Sequence, residues 1–342
     1  MQNLSTLFAA QLAKKTSKEI SGDKKRGMLS SGSADSPKSI LQLNSIPLKI
    51  DINKYKNAHS ADNPTGDYKA AYLFSILANT IPELTAYYNN SPYLITDIWD
   101  NIINSANSNV SYTKSLLNKA REKFNNSALS GMGGIPDNWY PVYANPSNWY
   151  DIVQDESELI KLELDLQSDE TDSSSIIVIN ESDKLKWKAT NSNNETSHLN
   201  IDSDTKIKKI YLSVLRVDFI RPWFGFEILD LQNWEIEGLN QCYYSNGKLD
   251  KNKGIFPLLT QSILIGTKVS MESAFSPEDI SLLTNHNKSG SEISFGPFLF
   301  NTPDQNVNIN QSEGKTTISS NIKQVVGYLS HLIPVSPGLP AV

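Results

Sequence analysis

The stretch IKLELDL at residues 160–166 has an isoleucine or leucine at every second position, with Lys161, Glu163 and Asp165 between them. A period of two predicts a β-strand that has one apolar face and one charged face. The same alternation returns at residues 185–189, where lysines separate the apolar positions. The second half of the chain is therefore predicted to consist of half-buried strands.

Further apolar stretches of strand length follow in the second half, and they are separated by turn signals at residues 245–247 and 289–290. These stretches are residues 176–179, 207–219, 263–269, 293–300, 316–319 and 325–332. We see no helical pattern alternating with them. Many short strands with polar connections predict an antiparallel β-sandwich or barrel.

The first half of the chain has a helical period instead. Residues 68–76 place their apolar side chains on one helical face, and residues 111–124 repeat that pattern. Ser91 followed by Pro92 predicts the start of a further helix between these two stretches, because serine can cap free amides and proline suits the first helical position. These patterns predict a small helical bundle, or a helical layer packed on a sheet.

The predicted fold class is α+β, with a small N-terminal helical bundle or layer followed by a C-terminal antiparallel β-sandwich or barrel. A length of 342 residues is enough for two domains. The predicted parts are an N-terminal segment with linker and edge strand (1–63), a helical domain (64–128), an aromatic connecting loop rich in Pro and Gly (129–155), and a β-rich domain (156–342).

The N-terminal segment contains a candidate contact surface. Four apolar residues fall on one helical face ahead of several lysines, namely Leu4, Leu7, Phe8 and Leu12. Such a helix could bind a membrane surface or a partner, and the alternative is a frayed helix docked on its own domain. The Ser- and Gly-rich residues 27–38 predict a linker, and the alternation over residues 46–52 predicts an edge strand because it contains Pro47.

Charge is unevenly distributed along the chain. Residues 1–154 carry 15 Lys and Arg against 12 Asp and Glu, whereas residues 155–342 carry 16 against 25. Because neutralisation of phosphates by Lys and Arg dominates nucleic-acid affinity, this acidic second half makes nucleic acid an unexpected partner. A protein, a glycan or a membrane surface remains as the expected partner, and the oligomeric state is open.

Cysteine and histidine usage argues against metal and cofactor sites. Cys242 is the single cysteine, so an intrachain disulfide and a cysteine-based zinc site are both excluded. The four histidines have no helical-pair spacing, and we expect neither a metal nor a cofactor. The N-terminus lacks a basic region ahead of its short apolar stretch, so the expected location is the cytoplasm, with signal-independent export as an alternative.

The most distinctive motif is an Asn-Trp-Tyr triplet that occurs twice, at residues 138–140 and 148–150. Trp and Tyr offer large, rigid contact area together with a polar atom, so an exposed loop of this kind would be a binding platform. The alternative is that the rings pack between layers of the protein. The candidate partner-binding residues from this loop are Trp139, Tyr140, Tyr143, Trp149 and Tyr150.

Arg221 and Trp223 complete the set of candidate partner-binding residues. Arg221 could bind an anion or stack beside Trp223. The alternative is that Pro222 ends a strand, that Trp223 packs in the core, and that Arg221 caps backbone carbonyls or pairs with Asp218.

No sequence motif indicates catalysis. The chain has no Gly-x-Ser-x-Gly, His-Glu-x-x-His or Walker-type phosphate loop. The leading hypothesis is therefore a non-enzymatic binding or assembly protein that uses its aromatic loops. A membrane-active toxin or effector is the alternative, and an enzyme with a carboxylate site assembled from distant strands is the third hypothesis.

Overall fold

The computed structural model describes residues 4–22, 38–131, 133–167, 175–179, 185–202, 205–312 and 315–338, without side chains for residues 17–22. The predicted linker at residues 27–38 falls almost wholly outside this described part. The described chain is a mixed α/β structure in which sheet predominates.

The α-helices of the described residues are α1 (Leu4–Gly22), α2 (Tyr68–Ala78), α3 (Ile95–Ser105), α4 (Ser111–Asn125), α5 (Trp149–Asp155) and α6 (Pro277–Lys288). Short 3₁₀ helices cover Ile52–Tyr55 and Phe226–Ile228.

The strands are β1 (Ser39–Lys49), β2 (Thr80–Pro82), β3 (Tyr87–Tyr88), β4 (Asn90–Leu94), β5 (Tyr143–Asn145), β6 (Ile160–Asp165), β7 (Ile176–Val178), β8 (Trp187–Thr190) and β9 (Thr196–His198). They continue with β10 (Ile207–Ile220), β11 (Ser245–Asn246), β12 (Leu258–Ser273), β13 (Glu292–Phe295), β14 (Phe298–Leu299), β15 (Asn308–Ser312), β16 (Lys315–Ser320), β17 (Gln324–Leu332) and β18 (Val335–Ser336).

The chain divides into two compact units, and each unit is assembled from three separate stretches. Unit 1 comprises Met1–Asp51, Asp151–Arg216 and Leu264–Tyr328. Unit 2 comprises Ile52–Tyr150, Val217–Ile263 and Leu329–Val342. In both units, late segments of the chain return to join early ones.

Unit 1 is built on a large sheet in which β15, β16, β12, β17 and β1 are neighbours in that order. β6 pairs antiparallel with β10, and β7 pairs parallel with β1. A smaller sheet has the order β14-β13-β8-β9. The alternation predicted for β6 is confirmed, because Leu162 and Leu164 are buried while Lys161 and Glu163 are exposed.

Helix α1 packs against β6, β7 and β1 in unit 1. Its predicted apolar face is buried there, since Leu4, Leu7, Phe8 and Leu12 are each at most 4% exposed. The helix therefore supplies core side chains to unit 1, which matches the alternative of a helix docked on its own domain.

Helix α6 lies between two strands of the second half, where no helix was predicted. Ser276 and Asp279 form a capping box at its start, and Pro277 occupies the first turn. Asp279 is buried and also accepts hydrogen bonds from the Asp202 amide and the Thr205 hydroxyl. Burial alone would raise the pKa of Asp279, but these hydrogen bonds outweigh it and lower the pKa.

Unit 2 contains α2, α3 and α4 together with short strands. β5 pairs antiparallel with the end of β10, β2 pairs with β4, and β11 pairs with β18. Two indoles tie the helices to the later chain: Trp99 Nε1 donates to the Trp223 carbonyl at 3.1 Å, and Trp223 Nε1 donates to the Pro141 carbonyl at 2.8 Å.

Two finer predictions need correction, and a third is not confirmed. The sheets are not closed barrels, and the order of a helical bundle followed by a β-sandwich is not confirmed. Ser91 and Pro92 do not start a helix but belong to β4, where the Ser91 hydroxyl accepts a hydrogen bond from the Tyr93 amide. The helix begins only at Ile95, after Leu94, which has no side-chain cap.

Candidate functional site

The two Asn-Trp-Tyr triplets bury their tryptophans. Trp139 is 6% exposed and Trp149 is 1% exposed, and Trp223 is completely buried. The Trp149 ring centroid lies 5.6 Å from that of Tyr55 and 6.0 Å from that of Phe74. These three indoles are therefore packing groups inside the structure, as in the alternative interpretation of the loop.

The tyrosines of the same triplets are partly exposed. Tyr140 stacks on Phe124 with a centroid distance of 3.9 Å, and Tyr150 contacts Trp149 edge to face at 6.5 Å. Burial raises the pKa of Tyr140, and the nearby Asp100 raises it further. Each triplet thus places its tryptophan inward and leaves its tyrosine at the surface.

Tyr143 joins a surface cluster with two aromatic residues from an earlier part of unit 2. His59 stacks on Tyr68 with a centroid distance of 4.2 Å and an interplanar angle of 17°, and it meets Tyr143 edge to face at 6.3 Å. Burial raises the pKa of Tyr143, as does the neighbouring Tyr68. Sequence reasoning missed His59, and it placed Tyr68 on a helix without assigning it to the site.

The loop before α2 holds the His59 ring in place. His59 Nδ1 donates to the Pro64 carbonyl at 3.1 Å, so Nδ1 carries a proton. The Asn63 amide donates to Asn57 Oδ1 and to the Ala58 carbonyl, which closes the loop on itself. Gly66 packs so tightly against Ala58 that a Cβ would lie 2.7 Å from the Ala58 carbonyl, so glycine is required there.

Helix α2 then orients Tyr68. Asp67 caps its first turn by accepting hydrogen bonds from the Lys69 and Ala70 amides, at 2.7 and 3.1 Å. The Val142 amide donates to Ser75 Oγ at 2.8 Å, and this bond fixes the segment that carries Tyr143 beside the helix. The signals for this arrangement, an Asp at the helix start and the Asn-Pro-x-Gly turn before it, are visible in the sequence.

Apolar side chains extend the cluster. Tyr72 and Ile76 follow Tyr68 at intervals of four residues on the same side of α2, and Ile220 lies directly opposite Tyr143 in the β5–β10 pair. Ile76 and Ile220 are each 49% exposed, and Tyr68 is 37% exposed. We call this surface the aromatic face, and its members are His59, Tyr68, Tyr72, Ile76, Tyr143 and Ile220.

Arg221 follows Ile220, but its guanidinium group contacts other groups of the protein. Its Nη2 donates to the Ala78 carbonyl at 2.7 Å, and the guanidinium lies 5.3 Å from the centroid of the Phe219 ring. Burial lowers the pKa of Arg221 to about 9, while the neighbouring Tyr88 acts in the opposite direction. The side chain therefore caps a backbone carbonyl, which is the structural role that the alternative interpretation gave to Arg221.

The hypothesis of a carboxylate site assembled from distant strands stays a prediction. Among the described residues, no group of three or more His, Cys, Asp and Glu side chains is placed to hold a metal ion. Asp169, Glu170 and Asp172 lie outside the described residues. A search for membrane spans over the described ranges finds no helix that is both long enough and apolar enough to cross a bilayer.

Comparison with protein-family models, with curated proteins and with solved structures gives no significant match for this chain.

Proposed function

We propose that the chain is a non-enzymatic binding or assembly protein and that the aromatic face of unit 2 docks on a protein partner. The observation that supports this most is the ring cluster of His59, Tyr68 and Tyr143, in which Tyr68 is 37% exposed and Tyr143 pairs with the exposed Ile220. Contiguous exposed apolar side chains are unusual on a monomer surface and are typical of interaction sites.

The aromatic face is already organised for binding. His59 is fixed by its bond to the Pro64 carbonyl, and Tyr68 is fixed by stacking on His59. A ring that is held before the partner arrives loses little conformational entropy on binding, so more of the contact energy contributes to affinity. Tyrosine is also among the residues that most often carry binding energy at protein interfaces.

The chemistry of the face favours a protein over a glycan. Ile76 and Ile220 offer aliphatic surface without polar atoms, which suits an apolar patch on a protein. The phenol hydroxyls and His59 lie beside these residues and can serve the polar rim of such an interface.

The membrane alternative receives less support from the N-terminal helix. The side chains that would enter a bilayer, including Leu7 and Phe8, are buried against the strands of unit 1. A helix of this kind binds membranes through its apolar face, and here that face is already occupied.

Site-specific photocrosslinking tests the proposed function. A photoreactive phenylalanine analogue replaces Tyr68 in the full chain, and the same analogue replaces Tyr112, which is 69% exposed on α4, as the matched control. Both variants are irradiated in a lysate of the cells that produce the protein. We expect one defined protein adduct at position 68, its absence at position 112, and its loss when Ile220→Asp is added.

Other outcomes of these experiments would contradict the proposal. Equal adducts at both positions, or none at position 68, would contradict the proposal. Binding of the wild-type chain to a glycan array with loss of that binding in Tyr68→Ala would make the ligand a sugar and would also contradict a protein partner.

A further inference from the structure

A groove of about 720 Å³ opens in unit 1. Its lining is mainly charged and polar, unlike the tyrosines of the sequence motif. The middle of α1 forms one side through Gln11 and Lys15, and β6, β10 and β12 form the other. This volume lies within the range of about 300–1,000 Å³ that is typical of ligand sites.

Most residues on the sheet side of the groove are charged or carry a hydroxyl, and Leu162 and Leu212 line it as well. Lys161 lies directly opposite Ser213 in the β6–β10 register, and Glu163 lies opposite Tyr211. Ser270 of β12 lines the groove as well.

The carboxylates of the groove are already engaged. Glu163 pairs with Lys209, and Asp165 lies 3.8 Å from the same ammonium group. Lys268, which also lines the groove, pairs with Glu156.

Two lysines and two hydroxyls of the groove are not engaged in this way. Among the described residues, the side chains of Lys15 and Lys161 have no ion-pair or hydrogen-bond partner. The hydroxyls of Ser213 and Ser270 are half-buried and, within the same described ranges, have no partner either. Cationic and hydroxyl donors of this kind are complementary to carboxylate oxygens.

We infer that the groove binds an acidic peptide segment, whose carboxylates are held by Lys15 and Lys161 and by the hydroxyls of Ser213 and Ser270. The inference is independent of the aromatic face, because the groove belongs to unit 1 alone. A polyphosphate backbone fits less well, since its continuous negative charge would also meet Glu163 and Asp165. A peptide can place its acidic side chains at the lysines and neutral ones beside these carboxylates.

Fluorescence anisotropy with a labelled hexapeptide of alternating Glu and Gln, (Glu-Gln)3, tests this site in the full chain. We expect saturable binding at low ionic strength and about tenfold weaker binding in the Lys15→Gln/Lys161→Gln double variant. The Ser213→Ala/Ser270→Ala double variant keeps every charge, and we expect about threefold weaker binding there. Lys119→Gln on α4 removes one exposed charge outside the groove and is expected to bind as the wild type does.

Several results would overturn the inference. They are the absence of saturable (Glu-Gln)3 binding, equal binding by the wild type and the double-lysine variant, or an equal loss in Lys119→Gln. Inorganic pyrophosphate that competes more strongly than unlabelled (Glu-Gln)3 would show a phosphate site and would also overturn the peptide assignment. Hexaglutamine serves as the neutral control and is expected not to bind.

Discussion

The aromatic face of unit 2 and the groove of unit 1 are built in opposite ways. Tyr72 of the face rests on the buried Trp139, with a centroid distance of 5.6 Å, and Trp149 and Phe74 contact each other inside the same unit at 6.0 Å. The groove is lined mainly by charged and hydroxyl side chains, with Leu162 and Leu212 beside them. A substitution beneath the face should therefore disturb the fold, whereas a substitution in the groove should leave the fold unchanged.

The largest effect is expected for Trp149→Ala. Removing this indole, which is 1% exposed, leaves a cavity beside Tyr55 and Phe74 and should lower the free energy of unfolding by about 3–5 kcal/mol. Tyr68→Ala, at the surface of the same unit, should cost less than about 1 kcal/mol. Urea unfolding followed by circular dichroism measures both. Equal costs would mean that Trp149 is not a core side chain of unit 2.

An intermediate effect is expected for Asp279→Asn in unit 1. The carboxylate accepts several hydrogen bonds while buried, and an amide has one acceptor fewer, so the free energy of unfolding should fall by about 1–3 kcal/mol at pH 7. Urea unfolding at several pH values measures this loss. Glu278→Gln, an exposed neighbour in α6, is the control and should change the value by less than about 0.5 kcal/mol.

The pH dependence of the Asp279 effect has a defined sign. Hydrogen bonds lower the pKa of Asp279 in the folded state, below the value of about 3.9 for an unfolded chain. The stabilisation is therefore fully present above the unfolded pKa and is lost as the pH falls through the folded pKa. The difference between wild type and Asp279→Asn should shrink below about pH 4. A difference that is constant with pH would show that the carboxylate charge is not involved.

The smallest effects are expected in the groove. Lys161→Gln removes an exposed side chain that has no ion-pair partner among the described residues, and the free energy of unfolding should change by less than about 0.5 kcal/mol. Lys268→Gln removes a largely exposed pair with Glu156, and a cost of at most about 1 kcal/mol is expected. Thermal unfolding by calorimetry measures both. A larger loss in Lys161→Gln would show that the groove is part of the core.

The regular elements could be predicted wherever one local pattern dominated. The helices at residues 68–76 and 111–124 appear as α2 and α4, and the strand at residues 207–219 appears as β10. Helix α6 was missed although its capping box is visible from Ser276 onward, because the surrounding strands favoured an all-β interpretation. The helix start predicted at Ser91-Pro92 was wrong because strand pairing with β2 outweighed the local start signal.

The candidate site could be predicted only in part. The aromatic motif indicated Tyr143, which is in the aromatic face, but it gave equal weight to Trp139 and Trp149, which are buried. His59 contacts Tyr143 although more than eighty residues of chain separate them, and it also stacks on Tyr68. Contacts between residues so distant in sequence have no local pattern that could indicate them.

The sequence by itself determined the periods of two and of 3.6, because these reflect which side chains of a strand or helix share one face. It also determined the apolar side of α1 and the charged side of β6. Only the tertiary structure decided that Leu7 and Phe8 meet strands and not a bilayer, and that each Asn-Trp-Tyr triplet turns its tryptophan inward. The reason is that burial depends on the apolar surface that other segments supply, and those segments are brought together by the fold.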